Sequence, residues 1–233
     1  MNLSELKIKL KEIKAQGEIE TLRSGNTGVG YTLECLLGIE ENNDSSADID
    51  GTIELKAKRK GSSARTTSFT QSPIWLKKTR DIIKKYGWTD KEKTERINFY
   101  PSLNYKNPTP QGLYLKIKGK ELFIMGKDDE ALCSLPLEVI QFRFRQKFVN
   151  LMMVMADRKK ERGQPERFHF NEAYYCTNIT PKSVTKLLKE GKMVLEFRIW
   201  MDKETGRLRD RGMAVRLSSK WTKSLFENVE RII

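Results

Sequence analysis

The sequence has one histidine, His169, and only three cysteines, Cys35, Cys133 and Cys176, far apart along 233 residues. A finger or ribbon zinc site needs four clustered Cys or His ligands, and a zinc protease of the H-E-x-x-H type needs two histidines on one helical face. Neither can be assembled from this set. A Cys/His or Ser/His nucleophilic pair would have to use His169, which lies in the alternating segment RFHFNEAYY, a strand pattern in which a single polar contact is the simpler role. Three scattered thiols fit reduced core residues in a reducing compartment. Also missing is any apolar run approaching the ~20 residues that cross a bilayer. The start, MNLSELKIKLKEIKAQ, interrupts Leu and Ile with charge where a secretion signal keeps an unbroken core. The chain is expected to be cytoplasmic, with no membrane partner, and any chemistry falls to carboxylates, lysine and a hard metal.

Positive charge is abundant. There are 44 Lys and Arg against 31 Asp and Glu, a net charge of +13, beside a hydrophobic fraction of 38% that suffices for a folded globule. Such an excess favours a polyanionic partner, with nucleic acid ahead of an anionic membrane surface. The charge is unevenly distributed. From Glu34 to Glu54 there are seven acids (Glu34, Glu40, Glu41, Asp44, Asp48, Asp50 and Glu54) and no Lys or Arg; from Leu55 to Arg96 thirteen bases face four acids, a net of +9. Carboxylates beside a phosphate-binding surface repel it unless a divalent cation intervenes, so the junction suggests a metal site set into that surface. The plainer alternative is an acidic loop followed by a solvated basic face.

Leu3, Leu6, Leu10 and Ile13 recur at helical spacing and predict a first helix ending near Gly17. The glycine-rich GNTGVG, Gly25 to Gly30, opens a second helix that Gly38 stops. IEENNDSSAD reads as a loop, and IDGTIELKAK as a strand or a hairpin into one. A helix is expected over Trp75 to Tyr86, with short strands around Ile97–Tyr100, Leu113–Lys118 and Leu122–Gly126. Further on come a helix from Leu137 towards Gln146, the apolar VNLMMVMA, a strand over RFHFNEAYY, a helix over Ser183–Glu190, a strand over KMVLEFRIWM, GMAVRL, and a closing helix from Ser219. There is no internal repeat. The mixture, without regular βαβ alternation, predicts a mixed α/β globule of two lobes.

Within Asp48-Ile-Asp-Gly-Thr-Ile-Glu54-Leu-Lys56 the strand period of two sends Glu54 and Lys56 to one face while Ile53 and Leu55 pack inward. Asp48 or Asp50, from the preceding turn, completes a D-x(n)-E-x-K cluster. Two carboxylates suit Mg²⁺, which keeps several waters and bridges phosphate oxygens. The metal would acidify water and stabilise charge on the scissile phosphate, with Lys56 orienting the attacking water or neutralising phosphate.

GNTGVGYTLECLLG followed by ADIDGTIELKAK resembles the MutH-type nuclease signature, in which a glycine-rich turn leads into a helix carrying a glutamate and a loop then leads to a D-x(n)-E-L-K strand. Within that group the nearer resemblance is to the MvaI/BcnI restriction endonucleases, which share the G-N-T-G-[IV]-G opening. LRDRGMAVRL, Leu208 to Leu217, is similar to an R-D-H-G-T-A-F-R stretch near their C-terminus. The resemblance implies a PD-(D/E)XK core of MutH type with two lobes around a DNA-binding cleft, drawn here as a catalytic lobe over 1–95 and a recognition lobe over 96–233, with C-terminal elements free to return to the catalytic core. It also implies that Glu34, Glu54 and Lys56 share the active site with one aspartate, Asp48 as first choice and Asp50 in reserve, the metal being held by Asp48 and Glu54. GNTGVG lacks the Gly-Lys-Ser/Thr ending of a nucleotide-binding loop, so no nucleotide cofactor is expected.

The resemblance further implies a Mg²⁺-dependent type II restriction endonuclease that cuts double-stranded DNA. It would act as a monomer on a near-palindromic, GC-rich site of the CC-x-GG kind, with a cognate DNA methyltransferase as its genetic partner. Lys58, Arg59, Lys60 and Arg65 would hold the backbone. This chain has Arg211 where that family's pattern has histidine, and a bidentate arginine–guanine contact is worth roughly 1–3 kcal/mol of discrimination. Arg207, Arg209, Asp210, Arg211 and Arg216 are therefore candidates for DNA contact, either to bases or, equally, to phosphates or in salt bridges on a turn. His169 and Asn171, alternate residues of one strand, are further candidates. Two alternatives stand beside this reading: a MutH-like mismatch-repair nicking enzyme recruited by a partner protein, and a basic DNA-binding module without catalysis.

Overall fold

The structure is a computed structural model that describes residues 1–39, 47–62 and 65–233. Glu40, Glu41 and Asp44 of the acidic block, and with them most of the expected loop, lie outside the described residues. The chain divides into two compact units, one of Met1–Ala64, Arg145–Thr180 and Thr222–Ile233, the other of Arg65–Phe144 and Pro181–Trp221. The sequence expectation placed a boundary after residue 95 and allowed C-terminal elements to return to the first lobe; these units alternate along the chain.

The first unit is a five-stranded sheet with helices on one face. Across the sheet run Ile19–Glu20, Arg167–Ile179, Asn150–Lys159 and Ile53–Arg59, with Phe226–Arg231 also pairing Arg167–Ile179. All pairs are antiparallel except Ile53–Arg59 with Asn150–Lys159, which are parallel, Glu54 standing opposite Leu151 and Lys56 opposite Met153. A parallel pair needs a long crossover, and this one carries most of the second unit. Asn2 caps the helix Leu3–Ala15 reciprocally with Glu5, at 3.0 and 2.9 Å. Its Leu6, Leu10 and Ile13 join Val29, Leu33 and Leu37 of the helix Gly28–Leu37 in one apolar cluster with Ile53, Leu55, Met152, Val154, Phe168 and Phe170.

The glycine-rich turn is built for close approach. A Cβ on Gly28 would stand 2.2 Å from the Arg23 carbonyl oxygen, and Gly25 has φ +84°. Buried Thr32 accepts a hydrogen bond from Leu22 N at 3.0 Å, which fixes the turn to its own helix.

The second unit holds three four-stranded sheets. One runs Ile74–Trp75, Ala131–Pro136, Glu121–Met125, Tyr114–Lys118; another Arg65–Gln71, Met213–Ser218, Met193–Glu196, Ser102–Leu103; the last Leu208–Asp210, Ile199–Asp202, Arg96–Phe99, Trp88–Thr89. Three expectations change. The helix expected from Trp75 begins at Thr79, because Ile74–Trp75 pairs with Ser134 and Cys133. KMVLEFRIWM is not one strand but two in different sheets, interrupted where Phe197 N donates to Pro101 O. The closing helix is four residues, Ser219–Thr222, and FENVER becomes the strand Phe226–Arg231, its helical potential overridden by a free edge of the long strand.

Candidate active site

Ile53 and Leu55 enter the apolar cluster, so Glu54 and Lys56 turn to the opposite face of the sheet, as the period of two requires. Glu54 is only 4% exposed. A carboxylate at that depth needs compensating charge, and two ammoniums supply it: Lys56 Nζ lies 2.5 Å and Lys147 Nζ 3.1 Å from the same oxygen, Oε1. Both lysines remain about two-fifths exposed, so the carboxylate forms the floor and the ammoniums the solvent side. Lys147 closes the helix Leu137–Lys147 and was no sequence expectation; its one local signal is a base in a helix's last turn, which suits the helix dipole anywhere.

Ile53–Arg59 is an edge strand, and the edge leaves main-chain donors without a neighbouring strand. Asp48 Oδ2 accepts one of them, Leu55 N, at 2.7 Å. The Asp48 carboxylate therefore lies against the peptide that follows Glu54. Asp50 occupies the tip of the Ala47–Gly51 turn at φ +51°, exposed. Of the two candidates, Asp48 is the aspartate that the fold brings to the strand. Glu34 is half-buried on the helix Gly28–Leu37, with Oε1 3.6 Å from the Cβ position of Gly30; that helix packs on the Ile53/Leu55 face of the strand.

Asp48 Oδ1 and Glu54 Oε2 make no hydrogen bond to a described residue. Carboxylate oxygens are the donor type that a hard cation takes, with water among its other ligands. Among the described residues no three His, Cys, Asp or Glu side chains form a fuller metal cage.

Lys58 follows on the same strand face; burial and the neighbouring Lys56 ammonium hold it below the ordinary lysine range. Arg59 points the other way and is engaged by the fold. It grips Glu166 with Nε at 2.8 Å and Nη2 at 2.7 Å, and it donates to the Gly25 and Asn26 carbonyls at 2.8 and 3.1 Å. Lys60 pairs with Glu172 at 2.7 Å and Asp157 at 3.3 Å. Arg65 opens an exposed strand end in the second unit. His169 Nε2 lies 3.2 Å from the Lys14 carbonyl, at the end of the first helix, and Asn171 Nδ2 donates to Asp157.

The C-terminal candidates all lie in the second unit. Arg207, Arg209 and Arg211 are exposed. Asp210 Oδ1 accepts Gly212 N at 2.6 Å, and the Arg211 carbonyl accepts from Arg198 at 2.7 Å, so main-chain bonds shape this turn and leave the Arg209 and Arg211 side chains outward. Arg216 is half-buried and pairs with Glu196 at 3.3 Å.

The sequence model of the MvaI/BcnI restriction endonuclease family matches residues 7–226. Among solved structures the chain is similar to a complex of restriction endonuclease MvaI with its cognate DNA substrate, at 23% identity and a TM-score of 0.73, with all of both chains covered. It is also similar to MvaI in the absence of DNA, at 20% identity and a TM-score of 0.66, covering all of this chain and 99% of the other. At these identities the two structures speak for the fold. No curated protein matches the chain.

Proposed function

Since the chain belongs to the MvaI/BcnI restriction endonuclease family, a family of site-specific nucleases, we propose that it hydrolyses phosphodiester bonds in double-stranded DNA at a short site, with Mg²⁺, through Asp48, Glu54 and Lys56. The observation that carries this reading is Glu54, buried between Lys56 and Lys147, with the Asp48 carboxylate docked on the next peptide. When bound by Asp48 and Glu54, Mg²⁺ supplies positive charge at the scissile phosphate and lowers the pKa of coordinated water.

The chain's own groups do the rest. Two ammoniums on one oxygen hold the Glu54 carboxylate in one place. Lys56, partly exposed, exchanges its contact with Glu54 for the attacking water or a phosphate oxygen as DNA enters. Leu55 N–H orients Asp48. Glu34 keeps an orienting role through the helix beneath the strand. Lys58 and Arg65 contact backbone phosphates, while Arg209 and Arg211 are the groups offered to bases. The family resemblance supports a GC-rich site of the CC-x-GG kind, a monomeric enzyme and a protective methyltransferase.

The test is digestion of a mixed DNA substrate with Mg²⁺ and sequencing of the ends. One short sequence at every end is expected, with cutting lost in Glu54→Ala and Lys56→Ala. Random ends, or equal cutting by the variants, would overturn the reading. Binding that persists without cutting under any divalent metal would identify a non-catalytic DNA-binding module.

A further inference from the structure

At the far end of the Glu54 strand, within the same unit, lies a pocket of about 410 Å³. It is bordered by the glycine-rich turn at Gly25 and Asn26, by Arg59 and Lys60, and by Arg158, Lys160 and Glu166 of the hairpin that Asn150–Lys159 and Arg167–Ile179 form. These groups are not equivalent. Arg59 ties the strand to the turn, as described. Glu166 receives both arginines, Arg158 approaching it most closely at Nε, 2.5 Å away, with about half of its side chain exposed. The terminal nitrogens of Arg158 remain for another acceptor, and Lys160, exposed, makes no hydrogen bond to a described residue. One carboxylate set against two guanidiniums and a free ammonium leaves the pocket positive even without Lys60, whose charge Glu172 and Asp157 offset.

An anion with several acceptor oxygens matches this excess of fixed donors. The strand also points to which anion. Lys56, Lys58 and Lys60 occupy alternate positions on the Glu54 face, and Lys60 borders the pocket, whereas Arg59 and Arg158, beside Phe168, stand on the other face at the same end of the sheet. At about 3.3 Å per residue the chain advances about 16 Å from Glu54 to Arg59, the rise of about five nucleotides of one DNA strand.

We propose that this pocket seats a phosphodiester group of duplex DNA flanking the cleaved site, held by Arg158 and Lys160. The proposal rests on the nuclease reading above and adds to it a contact outside the recognition sequence. Arg59 is the support that keeps the pocket's wall in place, and the exposed pair on the hairpin makes the contact.

Affinity without divalent metal separates this proposal from catalysis. Two duplexes centred on the cut sequence are compared, one ending about two base pairs beyond it and one extended by about ten on each side. For an Arg158→Ala/Lys160→Ala variant with unchanged melting temperature, affinity for the long duplex is expected to fall about tenfold, and the slope of log K against log salt to shrink by about one. Affinity for the short duplex and turnover on saturating DNA should be unaffected. Equal losses on both duplexes, or no loss on either, would overturn the proposal. So would inorganic phosphate that binds the unchanged protein saturably, fails to bind the variant, and leaves the duplex affinities equal, since the pocket would then serve a free anion. Failure of the nuclease reading would show separately, as DNA binding without cutting.

Discussion

Glu54, 4% exposed, has two ammoniums on one of its oxygens, Lys56 and Lys147. Lys147 should therefore matter to turnover more than to DNA affinity. Lys147→Met is expected to lower kcat about ten- to a hundredfold with little change in DNA affinity, and Lys147→Arg to recover part of it; single-turnover cleavage that matches the unchanged enzyme would remove Lys147 from the site. Glu166 gives a pH-dependent case. Its hydrogen bonds to Arg59, helped by that guanidinium and Arg158, hold its carboxyl below the ordinary glutamate range against the pull of burial. A depressed folded pKa stabilises the protein at pH values above the unfolded pKa, and the gain is lost as pH falls through the folded one. Glu166→Gln should cost about 1–3 kcal/mol near neutrality, with the difference in melting temperature closing as pH drops below about 4. A gap that stays constant over that range would assign the loss to packing. The E-x-K pair was legible in the sequence because strand spacing alone sets two side chains on one face. Lys147 was not, since nothing near it in sequence records what its helix end meets.

The helix Gly28–Leu37 and the turn before it show what one element owes to its neighbours. Two glycines of the same motif are expected to respond differently to alanine. Gly28→Ala places a Cβ 2.2 Å from the Arg23 carbonyl, a main-chain clash expected to cost about 1–3 kcal/mol or more. At Gly30 a Cβ meets only Glu34 Oε1, at 3.6 Å, so Gly30→Ala should be neutral or stabilising by up to about 1 kcal/mol. Urea denaturation of both variants checks the contrast, and equal destabilisation would contradict it. The helices were readable because their apolar residues recur at three and four and their ends carry Asn2, Gly28 and Gly38. KMVLEFRIWM and FENVER were misread because short apolar or charged runs take the structure of whichever sheet edge is open to them.

Across the whole molecule, the thiols test burial directly. Cys35 is exposed, while Cys133 and Cys176 are buried; burial raises the Cys133 thiol and pushes Cys176 up to about 11, the latter against the pull of Lys223. A disulfide exchange reagent near pH 8 should modify one cysteine in the native protein and the other two only on denaturation; three fast thiols would contradict the packing. From sequence alone, the scarcity of histidine pointed away from histidine chemistry towards carboxylate and lysine, and the net charge of +13 favoured a polyanionic partner. The D-x(n)-E-x-K spacing, with the glycine-rich opening, pointed to the family. Only the tertiary structure docked Asp48 on the Glu54 strand, through the Leu55 N–H of an edge strand, set Lys147 on Glu54, and drew Arg59 into the fold. The reason is physical: spacing within an element sets the direction of its side chains, whereas the meeting of distant elements is decided by the burial of apolar faces summed over the chain and by unpaired main-chain donors at sheet edges.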